Sequence, residues 1–258
     1  MKLIQSKDNS LVRLAMKVAA GRDKSRLLLE GVHLCQEWLA RYGAPETVLV
    51  RASAIGQPDV DHLITQSQSG EQIELADTVF NAIATVPAPQ GVMFIAQRPQ
   101  PEMADRFATT ALWLDRIQDP GNLGTILRTA AAAGIRQILL STGCVAVWSP
   151  KVLRSAQGAH FALDIHENQD FTQILPRLDM PVLASSLGPD TRSLYDGSLP
   201  RHCLWVMGNE GQGVDPAVLD AADQRIFIPQ SDAVESLNVA VATAIILFEH
   251  RRQHSAGA

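Results

Sequence analysis

Residues 111–134 read "ALWLDRIQDPGNLGTILRTAAAAG". An apolar run of strand length meets Asp115, a loop with Pro120 and Gly121 follows, and a helical pattern then closes on Gly134, the residue type that most readily ends a helix. A strand feeding directly into a helix is half of a βαβ unit. The run "ALWL" has no polar face, and strands apolar on both faces belong to parallel sheets covered by helices on each side.

The alternation continues toward the C-terminus. "QILLS" (137–141), a helix opening at Ser149 and Pro150, "HFALDI" (160–165), a helix near 170–178, "PVLAS" (181–185), "CLWVM" (203–207), "RIFI" (225–228) and a final helix follow in order. Toward the N-terminus, Leu11, Leu14, Ala15 and Val18 form a helical stripe. "RLLLEG" (26–31), "TVLVR" (47–51) and "GVMFIAQ" (91–97) read as strands, and "VHLCQEWLARYG" (32–43) as a helix ending at Gly43. Between the halves stand Pro87, Pro89, Pro99 and Pro101, and the apolar period is lost after Ala96. The expected organisation is α/β throughout: a small domain over 1–98, a linker over 99–108, and a parallel-sheet domain over 109–258.

With 46% hydrophobic and 19% charged residues in 258, the chain can bury real cores. The longest apolar stretch, Leu237 to Phe248, carries Asn238 and Thr243 and falls short of the roughly twenty residues that span a bilayer. Three scattered cysteines (Cys35, Cys144, Cys203) outside any C-x-x-C spacing, and an N-terminus without an apolar signal core, lead us to expect a reduced, cytoplasmic protein without disulfides or a metal site. A net charge of −5 excludes a protein that coats nucleic acid by bulk electrostatics. Locally the balance reverses: residues 1–30 hold Lys2, Lys7, Arg13, Lys17, Arg22, Lys24 and Arg26 against only Asp8, Asp23 and Glu30. Such an excess serves either as a solvated face or as a contact to phosphates.

In parallel sheets ligands gather beyond the carboxyl ends of strands, so residues just after each strand carry the functional signal. Three clusters stand there. In the first, Asn122 is placed to cap the helix that carries Arg128 within its first two turns; alone, that Arg reads equally as a surface ion-pair partner. In the second, "LWVMGNEGQGV" (204–214), three glycines surround Glu210, so the backbone either turns sharply or admits a ligand closely. In the third, "IPQSDAVESLNVAVATAIILFEH" (228–250), Ser236 reads as the N-cap of the last helix, whereas Asn238 heads an apolar segment and needs partners for its amide. None of the three has the G-x-G-x-x-G register of a dinucleotide fold or the lysine of a P-loop, which counts against a Rossmann dehydrogenase or an ordinary methyltransferase.

Taken in order, the clusters resemble the three motifs of the SpoU (TrmH) family of RNA ribose 2′-O-methyltransferases in the SPOUT superfamily. The likeness rests on "DPGNLGTILRTAAAAGI", "VMGNEGQGV" and "IFIPQSDAVESLNVAVATAI", with "SPKVLRSAQGAHF" between the first two. Residues 1–98 resemble the family's N-terminal substrate-binding domain through "NSLVRLAMKVAAGRDKSRLLLEGVHLCQEWL" and "TVPAPQGVMFIAQRP".

The resemblance implies a SPOUT fold with a C-terminal trefoil knot, S-adenosyl-L-methionine bound in that knot, and a homodimer whose active sites draw on both subunits. It implies Arg128, Asn122, Glu210, Ser236 and Asn238 as the catalytic set and Leu187, Gly208, Gly211, Ile228 and Leu237 as cofactor contacts. Arg154, Arg13, Lys17, Arg22 and Lys24 are the corresponding RNA contacts, Arg154 serving equally well as a structural ion-pair partner. The implied substrate is structured RNA, ribosomal or transfer, with ribosomal favoured by the extra domain. A guanidinium keeps its proton in proteins, so Arg128 is expected to act as a fixed cation rather than a base. A non-catalytic RNA-binding or assembly protein is the rival reading, and the intact Asn, Arg, Glu, Ser and Asn positions count against it.

Overall fold

A computed structural model describes residues 1–254. The chain forms two units, one made of Met1–Gln100 with Trp148–Phe161, the other of Pro101–Val147 with the chain from Ala162 onward.

The first unit runs β1 (Lys2–Ile4), α1 (Ser10–Ala19), β2 (Arg26–Glu30), α2 (Val32–Tyr42), β3 (Thr47–Arg51), α3 (Pro58–Gln66), β4 (Glu71–Leu75), α4 (Asp77–Ile83) and β5 (Val92–Gln97). Its five strands lie in the order β1-β4-β3-β5-β2, parallel except where β5 runs against β3 and β2. Strand periodicity sorts the core onto both faces. Leu27, Leu29, Val48, Val50 and Phe94 meet Trp38 of α2 and Leu63 of α3, while Leu28, Leu49, Met93 and Ile95 meet Val12 of α1 and Phe80 of α4. The strands β1 and β4 were not anticipated. "EQIEL" buries only Ile73 and Leu75 and shows charge elsewhere, so it lacks the apolar density of its neighbours.

The second unit opens with β6 (Ala111–Leu114), α5 (Pro120–Ala133) and β7 (Gln137–Ser141). The chain then contributes α6 (Pro150–Ala156) to the first unit, where Leu153 and Phe161 join the core around Trp38. This corrects the expected boundary, because 148–161 packs with the N-terminal unit and "HFALDI" becomes a strand only from Asp164. The second unit resumes with β8 (Asp164–Gln169), α7 (Phe171–Ile174), β9 (Val182–Ser185), β10 (Arg192–Ser193), β11 (Leu204–Met207), α8 (Pro216–Asp220), β12 (Gln224–Phe227) and α9 (Val239–His254).

Its seven strands are all parallel, in the order β10-β12-β9-β11-β6-β7-β8. Residues 99–108, expected as a linker, lack regular structure, yet part of the stretch is docked on the second unit. Phe107 is buried, exchanges backbone hydrogen bonds with Arg177 and Asp179, and Arg106 pairs with Asp179. No helix among the described residues is long and apolar enough to cross a membrane.

Candidate active site

Asp119, not Asn122, caps α5: its carboxylate accepts the Asn122 N–H at 2.8 Å, and Pro120 occupies the first helical position. Starting the helix there moves Asn122 into the first turn and Arg128 into the third. Six residues advance a helix by about 9 Å and turn it about 120° away, so the two side chains leave α5 on different faces. The same kind of shift occurs at α9. Ser236 lies outside the helix and is exposed, and Asn238 is the cap, its Oδ1 accepting from the N–H groups of Ala240 (2.9 Å) and Val241 (3.3 Å).

These caps bring the three sequence clusters into one hydrogen-bonded chain. Asn238 Nδ2 donates to Asn122 Oδ1 at 2.9 Å, and Asn122 Nδ2 donates to Glu210 Oε1 at 3.1 Å. The Glu210 carboxylate also accepts the N–H groups of Asp119 (3.2 Å) and Gln118 (3.3 Å), so it sits at the amino end of α5, where the helix dipole favours an anion. Partial burial raises the Glu210 pKa, but its own N–H, Asn122, Asp119 and Gln118 outweigh that and hold it below the usual carboxylate range. A carboxylate so supplied with donors is a poor proton acceptor and a good anchor.

The glycines of the second cluster divide by role. A Cβ on Gly208 would lie 2.3 Å from Gly213 C and Val214 N, so Gly208 lets the loop pack on itself, and Gly213 has φ +71°. Gly211 is exposed, and a Cβ there would meet nothing nearer than Asn209 Oδ1 at 3.8 Å. Within the loop, Asn209 Oδ1 accepts from Gly211 and Gln212 N–H, and Asn209 and Gly213 exchange backbone hydrogen bonds.

Arg128 is exposed and makes no hydrogen bond or ion pair among the described residues, so it does not join this chain within one protomer. The strands β12, β9 and β11 are parallel neighbours whose carboxyl ends lead into Ile228, Leu187 and Gly208 respectively. Leu187 is 53% exposed although apolar, Ile228 is buried, and Leu237 is half-buried just ahead of Asn238. A cavity of about 490 Å³ beside Arg192, Gln224 and Arg225 lies at the opposite, amino end of β12 and is separate from this cluster.

In the first unit, Arg13 and Lys17 stand four residues apart on α1, and Arg22 and Lys24 follow in the next turn; all four are exposed. Arg154 on α6 donates to Thr85 Oγ1 at 2.7 Å, and Thr85 in turn binds the Glu30 carboxylate through its amide and hydroxyl. That Arg is therefore engaged in the scaffold of the first unit.

Sequence reasoning passed over Asp115, Arg116 and Asn209. Asp115 is 3% exposed at the end of β6, and its Oδ2 accepts from Arg116 Nη2 (3.1 Å) and from Asp215 N–H (2.8 Å). The signal available was a carboxylate directly after an apolar strand; nothing marked Arg116 as a left-handed residue.

The sequence model of the SpoU rRNA Methylase family matches residues 109–248. The 23S rRNA (guanosine(2553)-2′-O)-methyltransferase RlmP of Bacillus subtilis (strain 168) is 31% identical over 97% of this chain and 100% of its own length. Danio rerio rRNA methyltransferase 3A, mitochondrial, is 33% identical over 95% of this chain and 69% of its own. Among solved structures, an AdoMet-bound rRNA methyltransferase from Sinorhizobium meliloti superposes with a TM-score of 0.85 at 27% identity, covering 99% of each chain. A putative RNA methyltransferase of the TrmH family from Porphyromonas gingivalis gives 0.80 at 33%, covering 93% and 96%. The family match takes in more than half of the residues and all three polar clusters, and the chain belongs to the SpoU rRNA Methylase family.

Proposed function

We propose that this protein transfers a methyl group from S-adenosylmethionine to a ribose 2′-hydroxyl of ribosomal RNA. The observation that carries the reading is the Glu210–Asn122–Asn238 hydrogen-bonded chain, which unites three distant motifs beside the carboxyl ends of β9, β11 and β12. Ribosomal rather than transfer RNA is favoured because Bacillus subtilis RlmP and the Sinorhizobium meliloti protein, both matching across the two units, are named for rRNA, whereas a structure named for tRNA covers only 58% of this chain.

The residues present fit the cofactor. Exposed Leu187, the open space at Gly211, and Gly208, Ile228 and Leu237, which follow strands β11 and β12 or precede α9, offer apolar and close-approach surface suited to an adenosyl moiety. The bound cofactor supplies an electrophilic methyl group on a sulfonium. The protein's part is to hold the ribose in line and stabilise charge growing on its 2′-oxygen as the hydroxyl proton departs to solvent. Arg128 does this as a permanent cation against that oxygen or the adjacent phosphate. Asn122 and Asn238 orient the ribose from their anchored positions, and Ser236, exposed two residues before the α9 cap, contacts the substrate.

The protein acts as a homodimer in which Arg128 of one protomer completes the site of the other. Support comes from the first ten residues of α9 (239–248), apolar apart from Thr243: Ile246 and Leu247 are buried, yet Val241 is 49% and Phe248 48% exposed. A helix of that kind calls for a partner, and α9 packs along α5, which carries Arg128. We also assign a trefoil knot, in which residues 228–238 pass through the loop joining β9 to β11. Its supports are the insertion of β12 between β9 and β10 and the hydrogen bonds from that loop to α9, Leu199 N–H to Gln253 and His250 to the Pro200 carbonyl.

The first unit holds structured RNA by its backbone, with Arg13, Lys17, Arg22 and Lys24 facing phosphates and Arg154 holding the unit's own scaffold. The setting is the cytoplasm, where free Cys35, Cys144 and Cys203 stay reduced.

The test is incubation of the purified protein with labelled S-adenosylmethionine and ribosomal RNA, followed by nuclease digestion and mass spectrometry of the nucleosides. A single 2′-O-methylated nucleotide is expected. Label on a base, or none on RNA, overturns the reading.

A further inference from the structure

Arg116 has φ 53°, a left-handed conformation that glycine adopts freely and a long side chain resists. The twist turns both of its backbone groups to use: its N–H donates to Ser141 Oγ at 2.9 Å, and its carbonyl accepts from Asn209 Nδ2 at 2.7 Å. Its guanidinium reaches across to the same loop, donating to Gln212 Oε1 at 3.1 Å and the Gly213 carbonyl at 3.5 Å. Behind it, the buried Asp115 carboxylate takes Nη2 at 3.1 Å and Nε at 3.3 Å, and Asp215 lies 3.9 Å away. The loop that carries Glu210 is thus fastened on one side through Glu210 itself to Gln118, Asp119 and Asn122, and on the other through Asn209, Gln212 and Gly213 to Arg116.

We propose that Arg116, braced by Asp115, is a positioning residue for methyl transfer: it clamps the Asn209–Gly213 loop so that Glu210 holds Asn122 in register. This rests on the reading of the chain as an RNA 2′-O-methyltransferase. Arg116 is not a contact for RNA phosphate, because two carboxylates already compensate its charge and its donors point into the loop. Nor is it a solvated surface arginine, since a glycine would carry no steric penalty at that backbone angle and would give up the clamp.

Arg116→Gly isolates the guanidinium, because glycine suits φ 53° and keeps both backbone hydrogen bonds. The expected result is a kcat lower by about ten- to a hundredfold with KM for RNA within about twofold, since misplacement of catalytic groups acts on the transition state. Amide exchange at Gly211, Gln212 and Gly213 should rise by at least about tenfold, while the thermal midpoint stays within a few degrees. Asp115→Asn should lower kcat similarly, and the double variant should be no worse than the poorer single one, as expected for two residues acting as one device. Wild-type kcat and loop exchange in Arg116→Gly, or losses that multiply in the double variant, overturn the proposal. If the wild-type protein methylates no RNA, the functional reading fails, and the exchange experiment still decides whether Arg116 holds the loop.

Discussion

Asn238 Nδ2 lies 2.9 Å from Asn122 Oδ1, so the cap of the last helix is tied directly to the first turn of the helix that carries Arg128. One side chain does two jobs with its two amide ends, and the two can be separated.

Asn238→Asp keeps the acceptor that caps α9 and loses the donor to Asn122. Stability by denaturant titration should stay within about 0.5 kcal/mol of wild type, because Asp caps as well as Asn. Methyl transfer should fall by at least about tenfold, since a second carboxylate now faces Asn122 beside Glu210. Asn238→Ala removes the cap as well and should cost about 1 kcal/mol in addition to the activity.

Arg128→Ala should leave the thermal midpoint unchanged, because the side chain is exposed and has no partner among the described residues. Its kcat should drop by about two to three orders of magnitude if it stabilises the developing oxyanion. Arg128→Lys should recover little of this, since an ammonium cannot reproduce the planar fork. Near wild-type turnover in the lysine variant would remove the bidentate contact from the mechanism.

A fragment of residues 1–98 should fail to fold cooperatively, because it lacks Leu153 and Phe161, whose rings and methyls fill the core beside Trp38. Circular dichroism melting of that fragment should show no sharp transition. In the whole chain, Leu153→Ala should cost about 2–5 kcal/mol, the usual price of emptying a buried leucine site.

Two histidines set a pH dependence. Burial lowers the pKa of His250, opposed by the Pro200 carbonyl and helped by nearby His254 and His202; burial also lowers His166, opposed by Asp164 and helped by Arg177. Each binds its proton less tightly folded than unfolded, so it contributes stability above the unfolded value near about 6.5 that is lost as pH falls through the folded value. The thermal midpoint should therefore be lower at pH 5.5 than at pH 7.5. A His166→Asn, His250→Asn double variant should show a flatter profile between those limits, whatever its absolute midpoint.

Much of the fold was legible because β6, β7, β9 and β11 are apolar enough to announce a parallel sheet, and Gly134 marks the end of α5 plainly; β8, "DIHENQ", is largely polar and starts later than its apolar approach suggests. The caps were misjudged where two capping residues stand close together. Asp119 precedes Pro120 and takes the role expected for Asn122, and Asn238 takes the one expected for Ser236. The earlier residue caps α5, where Pro120 suits the first helical position, and the later one caps α9, where its Oδ1 accepts from Ala240 and Val241. The strand β10, two residues long, and β1, three long, hold too little apolar surface to signal themselves. Asn238 was legible as a polar residue heading an apolar segment, Glu210 as an acid among three glycines after a strand, and Asn122 as the expected cap of the helix after β6. Arg116 escaped because its part depends on a backbone angle that no residue type but glycine advertises.

The detour of residues 148–161 into the first unit has a consequence for synthesis. The last strand of that unit ends at Gln97, but its core is not filled until Phe161 has been made. At translation rates of about 5–20 residues per second, the nascent N-terminal sheet waits several seconds with the core beside Trp38 lacking Leu153 and Phe161 while β6, α5 and β7 emerge behind it. During that interval the growing polypeptide offers a surface that a ribosome-associated chaperone could shield.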